Sequence, residues 1–239
     1  MRDNDYLYEK ENVLDDIGVA TSTSNDFLRT AFLHMALGLL VTTFMALYLV
    51  FFNVNLLLTF ARYFMVVAIG HLAIVLVLNL AITKISSITA KLLFYLYSAI
   101  TGITIATVGL IYSTYSIIIT LAITLSIFVA MAAYGYITKE DLSGYRKYFM
   151  VGLFALIITS LINIYFKAPM LYWFSTIAGV AIFTLLIAYD VNRIKRWSYE
   201  LRFKNPDIVE KMGIIAALSL YLDFINLFLY LLRIFGRRK

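Results

Sequence analysis

Long apolar runs alternate with short polar ones along the whole chain. The apolar runs cover residues 31–52, 63–83, 91–112, 115–137, 148–166, 170–190 and 206–236. Most approach the roughly 20 residues that a helix needs to cross about 30 Å of hydrocarbon. The pattern predicts an all-α integral membrane protein of seven transmembrane helices. A polar, acid-rich segment, 1–30, precedes a single membrane domain, 31–239. The clearest helix start is Asn205-Pro206-Asp207, with a capping amide, a proline at the first helical position, and Asp207 and Glu210 in the first turn. From there, 206–236 makes about 46 Å of helix at about 1.5 Å per residue, enough to cross and to project inward.

The polar connections carry the charge. With the N-terminus inside, inner segments hold fourteen Lys and Arg, whereas the outer loops hold only Arg62 and Lys167. That asymmetry places the N-terminus in the cytoplasm. Arg233, Arg237, Arg238 and Lys239 run against it, so the last segment either crosses fully or re-enters; its length favours crossing. Composition adds exclusions. The chain is 62% hydrophobic and 14% charged, with mean hydropathy +0.87, outside the range of a soluble domain. Seven spans leave no room for a soluble catalytic domain, and no cofactor is expected. The basic residues flank spans, so the net charge of +6 reports topology and not nucleic-acid binding. The absence of Cys removes disulfides, thiolate nucleophiles and Cys-based metal sites. The acidic N-terminal segment does not fit a cleaved signal peptide.

Asp223, near the middle of the last span, changes the picture most. A carboxylate at the centre of a membrane helix costs roughly 2.5–3.5 kcal/mol on insertion scales. Ser219, Asp223, Asn226, Tyr230 and Arg233 are spaced +4, +3, +4 and +3, which puts them within about 80° of arc on a helix. Such a stripe belongs against protein or a water-filled path. A second carboxylate, Asp190, ends the sixth apolar run. Taken alone it reads as an interfacial acid paired with Arg193 at i+3. If helices six and seven pack at this level, Asp190 and Asp223 share a site. Two close carboxylates resist ionising together and titrate as a unit, which makes a proton sensor or an oxygen-rich site for a hard cation such as Ca²⁺. His34 and His71 read as an interfacial and a packing histidine, too separated for a transition-metal site. Gly102 and Gly109 share a face that permits close helix approach. Tyr134, Tyr136 and Asp141 read as interfacial and loop-capping residues. An intramembrane aspartyl protease is disfavoured because Tyr221-Leu222-Asp223 lacks the glycines of its second motif, and a rhomboid-type serine protease because no Gly-x-Ser occurs in any span.

Several segments together carry a resemblance: Thr101-Gly102-Ile103-Thr104, Tyr134-Gly135-Tyr136 followed by Asp141-Leu142-Ser143-Gly144, Ala188-Tyr189-Asp190 with Arg193-Ile194-Lys195, and Leu218 to Phe228 closing with Leu232-Arg233-Ile234-Phe235-Gly236. Over residues 30–239 the chain resembles the bacterial branch of the Bax inhibitor-1 (transmembrane Bax-inhibitor-motif) family. The resemblance implies a bacterial inner-membrane protein with the last helix central and the other six around it. It also implies a pH-sensitive calcium leak gated by two aspartates, here Asp190 and Asp223, with Ser219, Asn226 and Tyr230 on the same polar face. Ca²⁺ and protons are then the partners within the bilayer, with Ca²⁺ in transient contact with the pair. Related proteins often carry an Arg latch near the inner end of the second span. Ala81 stands about there in this chain, with Asn79 and Lys84 as substitutes. Two other readings remain: a non-conducting interaction or quality-control protein with other membrane proteins as partners, and a proton-coupled transporter.

Overall fold

The computed structural model describes residues 2–201 and 204–239, and side chains from residue 26 onward except those of 64, 202 and 203. The acidic side chains before Asp26, and Arg202, lie outside the described residues. Among the described residues the chain forms eight helices: α1 (Arg2–Phe52), α2 (Val54–Arg62), α3 (Phe64–Ala81), α4 (Ser87–Ile111), α5 (Thr114–Ile137), α6 (Arg146–Phe166), α7 (Pro169–Glu200) and α8 (Pro206–Phe235), with a single 3₁₀ turn at Leu142–Tyr145. Six are long and apolar enough to cross a membrane, or seven spans if α2 and α3, bent by 80°, count as one broken span.

The helix ends follow local chemistry. Ser86 and Ser113 cap α4 and α5 by accepting from the backbone N–H of Thr89 and Ser116. Asn205 caps α8 through Asp207 N at 2.9 Å, with Pro206 next as expected.

Two boundaries differ from the sequence expectation. Residues 54–62, read as an outer loop, form α2, because Leu57 is buried against Ala46, Leu49 and Ala106 and needs an ordered backbone behind it. The sixth apolar run was expected to end at 190, but α7 continues to Glu200. Lys195 and Arg196 are good helix formers that carry their charge outward, while Ile194 and Ser198 keep one face buried. Packing of α1 also begins before the expected boundary at 31, since Phe27 and Leu28 already belong to the core.

The last helix is the axis of the bundle. In α8, 61% of the most apolar stretch is buried, against at most 33% for any other spanning helix. It packs on α1, α4, α5 and α7. Ala216, Ala217 and Gly213 keep its surface low enough for that. On the outward faces, Phe44, Met65, Leu80, Ile118 and Tyr165 are exposed, the arrangement a hydrocarbon solvent favours. Close backbone approach is set at two glycines. A Cβ at Gly135 would stand 2.3 Å from the carbonyl oxygen of Ala188, so α5 and α7 touch there. A Cβ at Gly102 would stand 2.6 Å from Thr42 O, fixing α4 on α1, whereas at Gly109 the nearest contact is a looser 3.9 Å.

The chain's last residues decide the course of α8. Ser113 N donates to Arg237 O at 2.9 Å, Lys239 N donates to Ile111 O at 2.9 Å, and Tyr112 and Arg238 form an antiparallel bridge. The tail is therefore tied to the α4–α5 turn. The start of α8 follows the end of α7, whose Lys195 donates to Tyr136 O at 2.6 Å at the far end of α5. The last helix thus runs the full length of the bundle and does not re-enter.

Candidate functional site

The centre of the site is the meeting of α7 and α8. Asp190 and Asp223 are both buried, at 6% and 5% exposure. The two carboxyls stand across the α7–α8 contact closely enough to interact electrostatically, with Ser219 beside them. The extension of α7 beyond residue 190 sets the depth of Asp190. Asp190 sits ten residues before the end of its helix, about 15 Å in at 1.5 Å per residue, so it stands inside the bundle beside Asp223.

One cation reaches the pair. Arg193 Nη2 stands 3.1 Å from Asp190 Oδ1 and donates to Ser219 Oγ at 3.1 Å. The guanidinium is thus a clasp, bound to an acid on its own helix and to a hydroxyl on α8. Its face lies over the rings of Trp197 at 4.7 Å and Tyr189 at 5.5 Å, which hold it in place. The arrangement is incomplete in one respect. Asp223 Oδ2 and Arg193 Nε are buried without a hydrogen-bond partner among the described residues. A carboxylate without a donor is costly in such a place. A proton shared with the neighbouring carboxyl would supply one, because a protonated carboxyl donates where a carboxylate only accepts.

The other expected residues divide. Ser219 joins the pair through Arg193. Asn226 lies on the same helix but donates to Leu222 O at 2.8 Å, a bond within its own backbone turn. Tyr230 is further along α8, with its ring against Gly179 and stacked on Phe183 at 5.7 Å. It closes packing between α7 and α8 and does not line the acid pair. The latch expected from Asn79 or Lys84 does not form. Both are exposed, and Asn79 donates to Val75 O on its own helix. The physical reason is that α3 packs mainly on α4 and does not approach the α7–α8 contact, so the cation at the pair comes from α7 itself.

Around this centre, hydrogen bonds fix the helices that frame it. Asn192, two residues after Asp190, accepts from Leu142 N at 3.3 Å and donates to Glu140 O at 3.2 Å, and Arg196 pairs with Asp141. Asp141 also caps the 3₁₀ turn through Ser143 N at 2.8 Å. The 138–145 turn is thereby held on α7 immediately below the pair. On the α1 side, Tyr221 is fully buried, with its hydroxyl 2.5 Å from Thr42 Oγ1 and its ring edge-on to Phe94 and Tyr97. Both histidines are packing residues: His34 Nδ1 bonds Tyr95 Oη at 2.6 Å and His71 Nε2 bonds Thr101 Oγ1 at 3.1 Å. Arg193 was legible only as a partner of Asp190; Asn192 and Tyr221 carried no signal that distinguished them from ordinary helix residues. Among the described residues, no group of three or more His, Asp or Glu gathers to hold a metal. Two carboxylates offer at most four of the six to eight oxygens that Ca²⁺ takes.

Comparison with known proteins gives a consistent pattern. The family described as "Inhibitor of apoptosis-promoting Bax1" matches residues 24–239. The chain is 41% identical over 207 residues to a protein of Escherichia coli (strain K12) described as inner membrane protein YbhL, covering 86% of this chain and 88% of that one. It is 39% identical over 238 residues to a protein of Borreliella burgdorferi, covering 98% of each. It is 32% identical over 212 residues to one of Deinococcus radiodurans, covering 89% of this chain and 90% of that one.

Proposed function

The chain belongs to the Bax inhibitor-1 family of membrane proteins, and on that premise we propose that it is a bacterial inner-membrane calcium leak gated by protons at Asp190 and Asp223. The observation that carries this reading is the approach of two buried carboxyls across the α7–α8 contact, with the Arg193 guanidinium bridging one of them, Asp190, to Ser219. The family and relatives' names point to a membrane protein and to no known enzyme class.

The gating follows from the clasp. With Asp190 ionised, Arg193 is bound to it and to Ser219, and α7 is tied to α8. Protonation of the pair removes the charge that holds Arg193 and adds a donor where two acceptors face each other. The tie loosens as pH falls, and the two helices part. Ionisation restores the tie. Acid therefore raises the leak, and each proton taken up shifts the balance by up to about tenfold per pH unit. In the open state the carboxyl oxygens provide hard ligands for a passing Ca²⁺, with protons competing for the same atoms.

Calcium flux into vesicles holding the purified protein tests the proposal. Flux should rise on acidification with equal pH on both sides. Flux that appears only under an imposed proton gradient would instead identify a proton-coupled transporter, and no flux at any pH would favour a helix-binding interaction protein.

A further inference from the structure

A cavity of about 510 Å³ lies where α2, α4 and α8 meet, at the end of the bundle that bears the α4–α5 turn. Its walls are Thr104, Thr107 and Val108 of α4, with Leu229, Leu232 and Arg233 of α8. Leu110 and Ile111, also on its lining, are exposed, so the cavity reaches the surface of the bundle. Its size falls within the roughly 300–1,000 Å³ of ligand sites. It is mostly apolar, with two threonines, Tyr112 and one guanidinium as its polar lining.

The charge around that rim is one-sided. Arg62 follows Ala61 of the cavity lining; Arg233 is in the lining itself; Arg237, Arg238 and Lys239 are tied to the α4–α5 turn. Lys167 caps the nearby α6–α7 turn. Those six cations equal the chain's whole net charge of +6. Among the described residues, no Asp or Glu side chain stands at this end: all lie from the α7–α8 pair toward the opposite end. Arg233 accordingly has only rings beneath it, Tyr230 at 4.7 Å and Tyr172 at 5.6 Å.

An apolar cavity open to the bundle's lipid-facing surface, rimmed by unbalanced cations, fits an amphiphile with an apolar tail and an anionic head. We propose that this cavity binds an anionic phospholipid, one acyl chain lying between α4 and α8 and the phosphate held by Arg233 with the tail's Arg237 and Arg238. Threonine hydroxyls at the wall tolerate the ester region, and the cations lose their mutual repulsion when the phosphate arrives. The site stands apart from the acid pair and is independent of the leak.

Thermal unfolding of the full-length protein in detergent tests this. Added phosphatidylglycerol should raise Tm by several degrees, in a way that high salt weakens. Phosphatidylcholine and glycerol phosphate should not. Thr107→Phe, which fills the cavity, and the surface double variant Arg237→Gln/Arg238→Gln should each lose most of the shift. The double variant removes no buried contact, so it remains informative should Thr107→Phe fail to fold. Equal shifts with phosphatidylcholine and phosphatidylglycerol would overturn the proposal. A full shift from glycerol phosphate alone would overturn it in favour of a free-phosphate site. Retention of the shift by the double variant would also overturn it.

Discussion

Arg193 is the residue on which the proposed gate turns. It pairs with Asp190 at 3.1 Å and reaches Ser219 at 3.1 Å. Its removal leaves a buried carboxylate without its cation. Breaking a buried ion pair costs about 3–5 kcal/mol, and the 25% exposure of the Arg193 side chain reduces that to roughly 1–3 kcal/mol. Arg193→Gln should therefore lower thermal stability in detergent at neutral pH. At acid pH, where the pair is protonated and the arginine has less to hold, the deficit should shrink. The sign follows from linkage: stability supplied by an ionised acid is present at high pH and lost on protonation. A deficit that is constant from neutral to acid would show that Arg193 acts by packing on Trp197 and Tyr189 alone. The sequence showed both acids and the i+3 arginine, because a charge inside an apolar run is conspicuous. It did not show which cation the pair would use. Spacing along one helix does not say what a neighbouring helix brings, and the exposed Asn79 and Lys84 illustrate the error.

At the level of helices, apolar runs revealed the long helices and their approximate ends but neither the short α2 nor the inward faces. In a membrane both faces are apolar: exposed Phe44 on α1 and buried Leu49 five residues later have the same character. The small and hydroxyl-bearing residues that mark the interior, such as Ser116, Thr120 and Thr124 on α5, are weak signals against that background. The extension of α7 past Asp190 was hidden for a related reason, since a hydropathy reading stops at charges that a helix continues through. Two consequences are measurable. Gly135→Ala places a Cβ 2.3 Å from Ala188 O and must push α5 off α7, whereas Gly144→Ala meets nothing within 4 Å. Gly135→Ala should lower Tm clearly more than Gly144→Ala, and equal effects would refute a tight α5–α7 contact. The proposed parting of α7 and α8 is read by labelling, which the cysteine-free chain makes clean. Ser219→Cys should react with small polar thiol reagents faster at acid pH than at neutral pH. Phe224→Cys, on the face against Phe128, should change little. Protection of both positions at every pH would point to static helix contacts.

For the whole molecule, α8 running from the α7 end to the α4–α5 turn places Pro206 and the tail at opposite ends of the bundle. Reporters fused after Lys204 and after Lys239 should read cytoplasmic and external respectively. The same side for both would mean that α8 does not cross. Charge counting alone left the course of this helix open; backbone hydrogen bonds between residues over 100 positions apart in sequence fix it. The claim that joins these levels is proton control of a calcium path at the acid pair. It is tested most directly by Ca²⁺ flux in proteoliposomes, measured at symmetric pH from about 5 to 8 for the wild type, Asp190→Asn and Asp223→Asn. The account predicts a wild-type flux that rises steeply toward acid, and two variants whose flux is already high at neutral pH and nearly flat across the range. Full wild-type pH dependence in both variants would contradict it.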